Sequence, residues 1–286
     1  MVLNQMRQKN FKNYSEYIEQ IFNNNKFLCY LNENIINIFL LLTFYVMELG
    51  FVSLLFQQYG ISKYIGMLII SGLIYIVLRG NVHSVVKTNI LLVPILIIAM
   101  LYISISGIKC FGMEQINLFS EQNNMFIINT ILYSSYNFIM LLPLLTSLNE
   151  KSITKKEIKI IVLSIFIIMV ISSIFIILLL NMFDISNIEI PIIYIANFIS
   201  NEAVILGIIL ILLAIFTSVI GVGYSFLNNI SRTPKKYRRN LFVMCGISLL
   251  LVEFSFASTM QVVYTFLGIV GIIQILAIIL ANFRKN

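Results

Sequence analysis

Charge is scarce in this chain. Only 11% of its 286 residues are Asp, Glu, Lys or Arg, where soluble domains carry about 25%. Hydrophobic residues make up 59%. That balance excludes an ordinary soluble domain. The length suits seven to ten membrane-spanning helices at roughly 20 residues each plus links. Histidine occurs once, at His83 beside Lys87 in a short polar link, and reads as a solvated residue rather than a ligand. Cys29, Cys110 and Cys245 are scattered and form no CxxC, which excludes a disulfide framework and a zinc site. The phosphate-binding pattern GxxxxGK[ST] is missing, so any ATPase would be another chain. Within its hydrophobic runs the chain has no Ser–His–Asp grouping, no paired carboxylates at helical spacing and no metal-ligand set. No enzyme activity, metal or cofactor is therefore expected. Residues 1–34 are polar, with Arg7, Lys9, Lys12 and Lys26 and no early apolar core, unlike a cleavable signal peptide.

What is present is a series of long apolar runs. They predict an all-α integral membrane protein with eight transmembrane helices. The expected spans are 35–56, 64–78, 89–107, 125–148, 158–180, 203–224, 241–256 and 262–283. Residues 1–34 form a cytoplasmic segment, in which Tyr14, Ile18, Ile21 and Phe22 recur at helical spacing. That predicts a short amphipathic helix on the membrane surface. The run 158–180 is almost wholly aliphatic and reads as a lipid-facing or packing helix. Residues 181–197 make an outer loop, with a small helix expected over 192–199. Basic residues test the division. All of the 19 Lys and Arg except Lys63 and Lys109 fall on alternate links. Cytoplasmic links carry the excess of basic residues, so eight spans place both termini in the cytoplasm. The run Lys235–Arg239 is then topogenic, and nucleic acid is not an expected partner. The lipid bilayer is.

One stretch stands out, LYSSYNFIMLLPLLTSL from Leu132 to Leu148. Tyr133, Ser134, Ser135, Tyr136 and Asn137 lie in a span where polar groups are expensive unless they face protein, water or a ligand. Pro143 has no N–H for the Ile139 carbonyl. These features fit a helix interrupted at a cavity, as in secondary transporters. They fit equally a Pro-containing structural helix whose hydroxyls bond back to their own carbonyls. Tyr133, Ser135 and Asn137 are the candidate substrate-binding residues. Thr217 and Ser218 are adjacent hydroxyls, a candidate cation pair, or an ordinary back-bonded pair. Glu48, Glu202 and Glu253 sit at or inside span boundaries. Glu202 suits a helix amino terminus, and Glu253 lies within a turn of the outer end. Glu48 is deeper, and no basic residue lies within a span to pair with it. It is the proton-carrier candidate.

The segment VMELGFVSLLFQQYGISKYIGMLIISGLIYIVLRGNVHSVVKTNILLVPILI, Val46 to Ile97, resembles the third to fifth helices of the YkvI-type membrane proteins. LYSSYNFIMLLPLL (Leu132–Leu145), IFTSVIGVGYSFL (Ile215–Leu227) and VYTFLGIVGIIQ (Val263–Gln274) resemble later segments of the same family. These proteins are similar to the amino acid–polyamine–organocation superfamily with its LeuT-like fold of two inverted five-helix repeats. The resemblance implies that the eight spans correspond to core helices three to ten. The stretch at Leu132 then becomes the unwound sixth core helix, and Thr217 and Ser218 fall where sodium-coupled relatives place two hydroxyl ligands. It further implies a secondary transporter of the bacterial cytoplasmic membrane. The cargo would be a small polar or zwitterionic solute such as an amino acid, coupled to sodium or protons. Residues 1–34 do not supply the first two core helices of that fold. The expectation is therefore an upstream start, a decayed gene, or a partner chain that provides the missing pair. The rival reading is a non-transporting receptor, sensor or scaffold subunit of the same fold, resembling the spore-germination receptors.

Overall fold

A computed structural model describes residues 14–22, 25–112, 125–147, 154–183, 188, 190–231 and 233–283. Among the described residues every regular element is a helix. In chain order they are α1 (Tyr14–Ile21), α2 (Lys26–Tyr59), α3 (Lys63–Leu78), α4 (Asn81–Phe111), α5 (Phe126–Ser147), α6 (Lys155–Leu180), α7 (Pro191–Asn197), α8 (Asn201–Ile230), α9 (Pro234–Ser248) and α10 (Phe256–Phe283). Six of these (α2, α4, α5, α6, α8 and α10) are long and apolar enough to cross a membrane. The chain is an all-α, multi-pass membrane protein.

Two of the eight expected spans come out differently. The run 64–78 is helical, but α3 has 16 residues, about 24 Å at the α-helical rise, against a hydrocarbon core of about 30 Å. The run 241–256 is not one helix. Helix α9 starts in the basic segment at Pro234 and stops at Ser248. Beyond it the chain closes short turns from Leu250 N–H to the Ile247 carbonyl and from Leu251 N–H to the Ser248 carbonyl. Hydropathy alone does not register that change from i−4 to i−3 bonding. The first long helix also starts earlier than expected. The Asn25 side chain accepts from Phe27 and Leu28 N–H, both at 3.2 Å, and this N-cap starts α2 at Lys26. At its other end Gly60 adopts a left-handed φ of 65° and returns its N–H to the Phe56 carbonyl, a C-terminal stop that suits glycine.

The chain divides into two units. The first holds α1 to α3, the start of α4, α5, the second part of α8, α9 and α10. Helix α2 is its centre. From Thr43 to Leu55 every residue is buried except Met47 and Ser53, which are half-buried, so protein surrounds this stretch of α2 on all sides. One face carries Val46, which packs with Tyr136 and Ile139 of α5 and Val263 and Leu267 of α10. Two residues on, nearly opposite on a helix, Glu48 faces α3 and α9. Helices α5 and α10 approach closely because Gly268 lies against Leu132, and Gly271 against the backbone of Ser135. Small residues allow such contact in membranes. The Tyr237 hydroxyl on α9 donates to the Leu78 carbonyl at the end of α3, at 3.1 Å.

The amphipathic segment is helical over Tyr14–Ile21 and packs on protein. Tyr14, Tyr17 and Ile18 are buried because α1 packs on α2, α5 and α10.

The second unit holds the rest of α4, α6, α7 and the first part of α8. Gly107 of α4 lies against Leu179 of α6. Phe111 meets Phe183 edge to face at 4.9 Å, and Tyr194 meets Phe198 likewise at 5.1 Å. Helix α6 begins in a capping box: Thr154 Oγ1 accepts from Glu157 N–H, and Glu157 accepts from Thr154 N–H. Every residue from Lys159 to Ile171 is exposed. An aliphatic helix left exposed among the described residues of its unit suits a bilayer.

Candidate functional site

The site is built on Glu48. This carboxyl is wholly inaccessible, at 0% exposure, in the middle of an apolar helix. Burying it requires hydrogen-bond partners, and two neighbouring helices supply them. Ser71 of α3 donates to Glu48 Oε1 at 3.0 Å. Ser248, the last residue of α9, contacts Glu48 Oε2. Ser248 also reaches the Met244 carbonyl one turn back at 3.2 Å. The Tyr45 hydroxyl, a turn before Glu48, donates to that same carbonyl at 3.4 Å. Glu48 therefore ties α2, α3 and α9 together. The one ion pair among the described residues is elsewhere, between Lys63 and Glu253 at 3.7 Å, with both side chains largely exposed. No cation faces Glu48 among the described residues.

A second polar cluster ties the amino-terminal helix to the last one. The Tyr14 hydroxyl donates to Asn32 Oδ1 at 3.0 Å, and Gln274 Nε2 donates to the Tyr14 hydroxyl. Tyr14 and Gln274 are both about 1% exposed. Burial, more than any neighbour, pushes the Tyr14 phenol well above its ordinary value, with Glu33 acting in the same direction. Tyr14 is thus a neutral donor throughout the physiological range.

The other sequence-predicted residues lie apart from Glu48. Helix α5 runs unbroken through Pro143 from Phe126 to Ser147. This corrects the expectation of an interrupted helix, and the polar groups show why no unwinding is needed. Ser134 donates to the Thr130 carbonyl at 2.9 Å, Asn137 to the Tyr133 carbonyl at 2.8 Å, and Thr146 to the Pro143 carbonyl at 2.8 Å. Each side chain is satisfied within its own helix. The three substrate candidates do not converge. Tyr133 is exposed, Asn137 bonds back to its own helix, and Ser135 is buried with its backbone against Gly271. Thr217 is half-buried and Ser218 exposed on α8. Glu202 is exposed in the first turn of α8, where the helix dipole favours an acid. His83 is exposed in the first turn of α4.

Ser71 and Ser248 escaped the sequence reading. Each is the one serine in an apolar run, MLIISGLIYI and MCGISLLL. The cost that singled out Ser134 and Ser135 applies to them too. What the sequence lacks is the pairing, because Ser248 lies 200 positions from Glu48.

The fold defines a multi-pass, all-helical membrane protein with a hydroxyl-held carboxyl buried in its first unit. No protein-family model, curated protein or solved structure matches the chain.

Proposed function

We propose that the protein is a secondary-transporter-like membrane protein whose coupling centre is Glu48. The cargo is a small polar or zwitterionic solute, an amino acid being the simplest, coupled to sodium or protons. One observation carries the reading: a fully buried carboxyl in an apolar helix, held by two serine hydroxyls from two other helices, with no cation facing it among the described residues. Ionisable groups at membrane depth are costly and belong to ion pathways far more often than to scaffolding. A purely structural role would be served as well by packed apolar residues. The LeuT-like frame, a bacterial cytoplasmic membrane with both termini inside, sodium at Thr217 and Ser218, and a partner chain that supplies two further helices all belong to this proposal. The placement of the termini rests on the alternation of basic residues along the links, and the rest on the sequence resemblance.

A second reading, a receptor or sensor subunit, draws support from helix α5. Its unbroken course and back-bonded polar groups leave Tyr133, Ser135 and Asn137 without a common cavity. Turnover separates the two. Vesicles that contain the purified protein are given a radiolabelled amino-acid mixture under imposed sodium and proton gradients. A transporter accumulates label well beyond one molecule per chain. Uptake that saturates at one per chain, unaffected by either gradient, would establish the sensor instead.

A further inference from the structure

The hydrogens around Glu48 can be counted. Three oxygen–oxygen contacts are made: Ser71 Oγ with Glu48 Oε1, Ser248 Oγ with Glu48 Oε2, and Ser248 Oγ with the Met244 carbonyl. Each serine carries one hydroxyl hydrogen. An ionised Glu48 leaves two hydrogens for three contacts. Ser248 would spend its hydrogen on the carboxylate and turn a lone pair towards the Met244 carbonyl. A protonated Glu48 supplies the missing hydrogen. Its Oε2–H donates to Ser248 Oγ, Ser248 donates to the Met244 carbonyl, and Ser71 donates to Oε1. All three contacts are then hydrogen bonds, and no unpaired charge is buried at the site.

We infer that Glu48 is a proton site, occupied at neutral pH and closed to sodium, and that Ser248 is the switch that reports its proton. A hard cation is held in a shell of oxygen ligands. Here each carboxyl oxygen meets a serine hydroxyl directly. When the site opens to water, Glu48 gives its proton to a water molecule, and the Ser248 hydrogen swings from the Met244 carbonyl to Oε2. The Met244 carbonyl keeps the Tyr45 hydroxyl. Ser248 ends α9, so the swing changes what bonds the last turn of that helix. The titratable groups whose fields meet Glu48 are Tyr45 on its own helix and Cys245 on α9. Helix α3 presents Ser71.

The coupling role of this proton rests on the transport reading, but its presence does not. The test is an infrared difference spectrum of the full chain in sodium-free phosphatidylcholine vesicles at pH 7, wild type against Glu48→Gln. The expected result is a protonated-carboxyl C=O band in the wild type alone, unchanged when choline chloride is replaced by sodium chloride. Ser248→Ala should keep the band and shift it to higher frequency, because the carboxyl O–H loses its acceptor. Carboxylate bands in place of the carboxyl band, loss of the band on adding sodium, or no shift in Ser248→Ala would each overturn the inference. The Ser248→Ala spectrum stands on its own if Glu48→Gln does not fold. No solute is present, so vesicles that move no solute would sink the transport reading and leave the proton on Glu48 in place.

Discussion

Replacing Gly271 by alanine would drive a methyl group into backbone. A Cβ there would lie 2.6 Å from the Ser135 carbonyl carbon and 2.8 Å from its Cβ, with the carbonyl oxygen closer still. Ordinary van der Waals contact begins at 3.4 Å. These atoms belong to a helix rather than to the tip of a flexible side chain, so α5 and α10 must part by roughly 1 Å. Gly268, one turn earlier, is nearly as close to Leu132, so the separation disturbs the whole seam. Overpacking of this kind costs about 1–3 kcal/mol. Alanine's helix propensity returns about 1 kcal/mol. Gly221 is the control, since a Cβ there meets nothing within 4 Å and alanine gains the propensity alone. The expected gap between Gly271→Ala and Gly221→Ala is therefore about 1–3 kcal/mol, read by reversible denaturation in detergent. Equal stability would refute the close seam. It would also reopen Ser135 as a cavity residue, because a methyl group is harmless only where there is space.

Three further outcomes follow from named contacts. Ser71→Ala or Ser248→Ala strips one hydroxyl from the buried Glu48 carboxyl, and each should cost about 1–3 kcal/mol of stability; a neutral effect of both would mean the carboxyl finds water. Tyr14 and Tyr17 hold their protons more tightly when α1 is docked, chiefly through burial. The stabilisation is therefore fully present below the unfolded phenol value and is lost as pH rises through the folded one. Denaturation midpoints should fall above about pH 10, and less steeply in Tyr14→Phe; a wild-type slope in that variant would contradict the docking. Lys63→Gln removes an exposed ion pair and should change stability by less than about 1 kcal/mol; a larger loss would mean the pair holds the α3 end of the molecule.

The helices were legible where apolar runs are long. The runs at 35–56, 89–107, 125–148, 158–180, 203–224 and 262–283 all fall within or largely within α2, α4, α5, α6, α8 and α10. Their ends were not, because caps such as Asn25 and the i−3 turns after Ser248 act over a few residues. Glu48 was legible as a site because a carboxyl deep in an apolar run has no local escape. The polar stretch of α5 was ambiguous for a related reason. A hydroxyl or amide in a helix can bond the carbonyl a turn back, and Ser134 and Asn137 do so, whereas a carboxylate has no hydrogen to give. Ser71, Ser248 and the docking of Tyr14 onto Gln274 depend on contacts between distant positions, which no local pattern encodes.

The central claim is that Glu48 couples solute movement to a proton. The most direct measurement follows internal pH in sodium-free vesicles as a solute gradient is imposed, for the wild type and for Glu48→Gln. The expected result is a solute-dependent pH change in the wild type and none in Glu48→Gln, with solute exchange retained by the variant. A Glu48→Gln protein that moves protons as the wild type does would contradict the account.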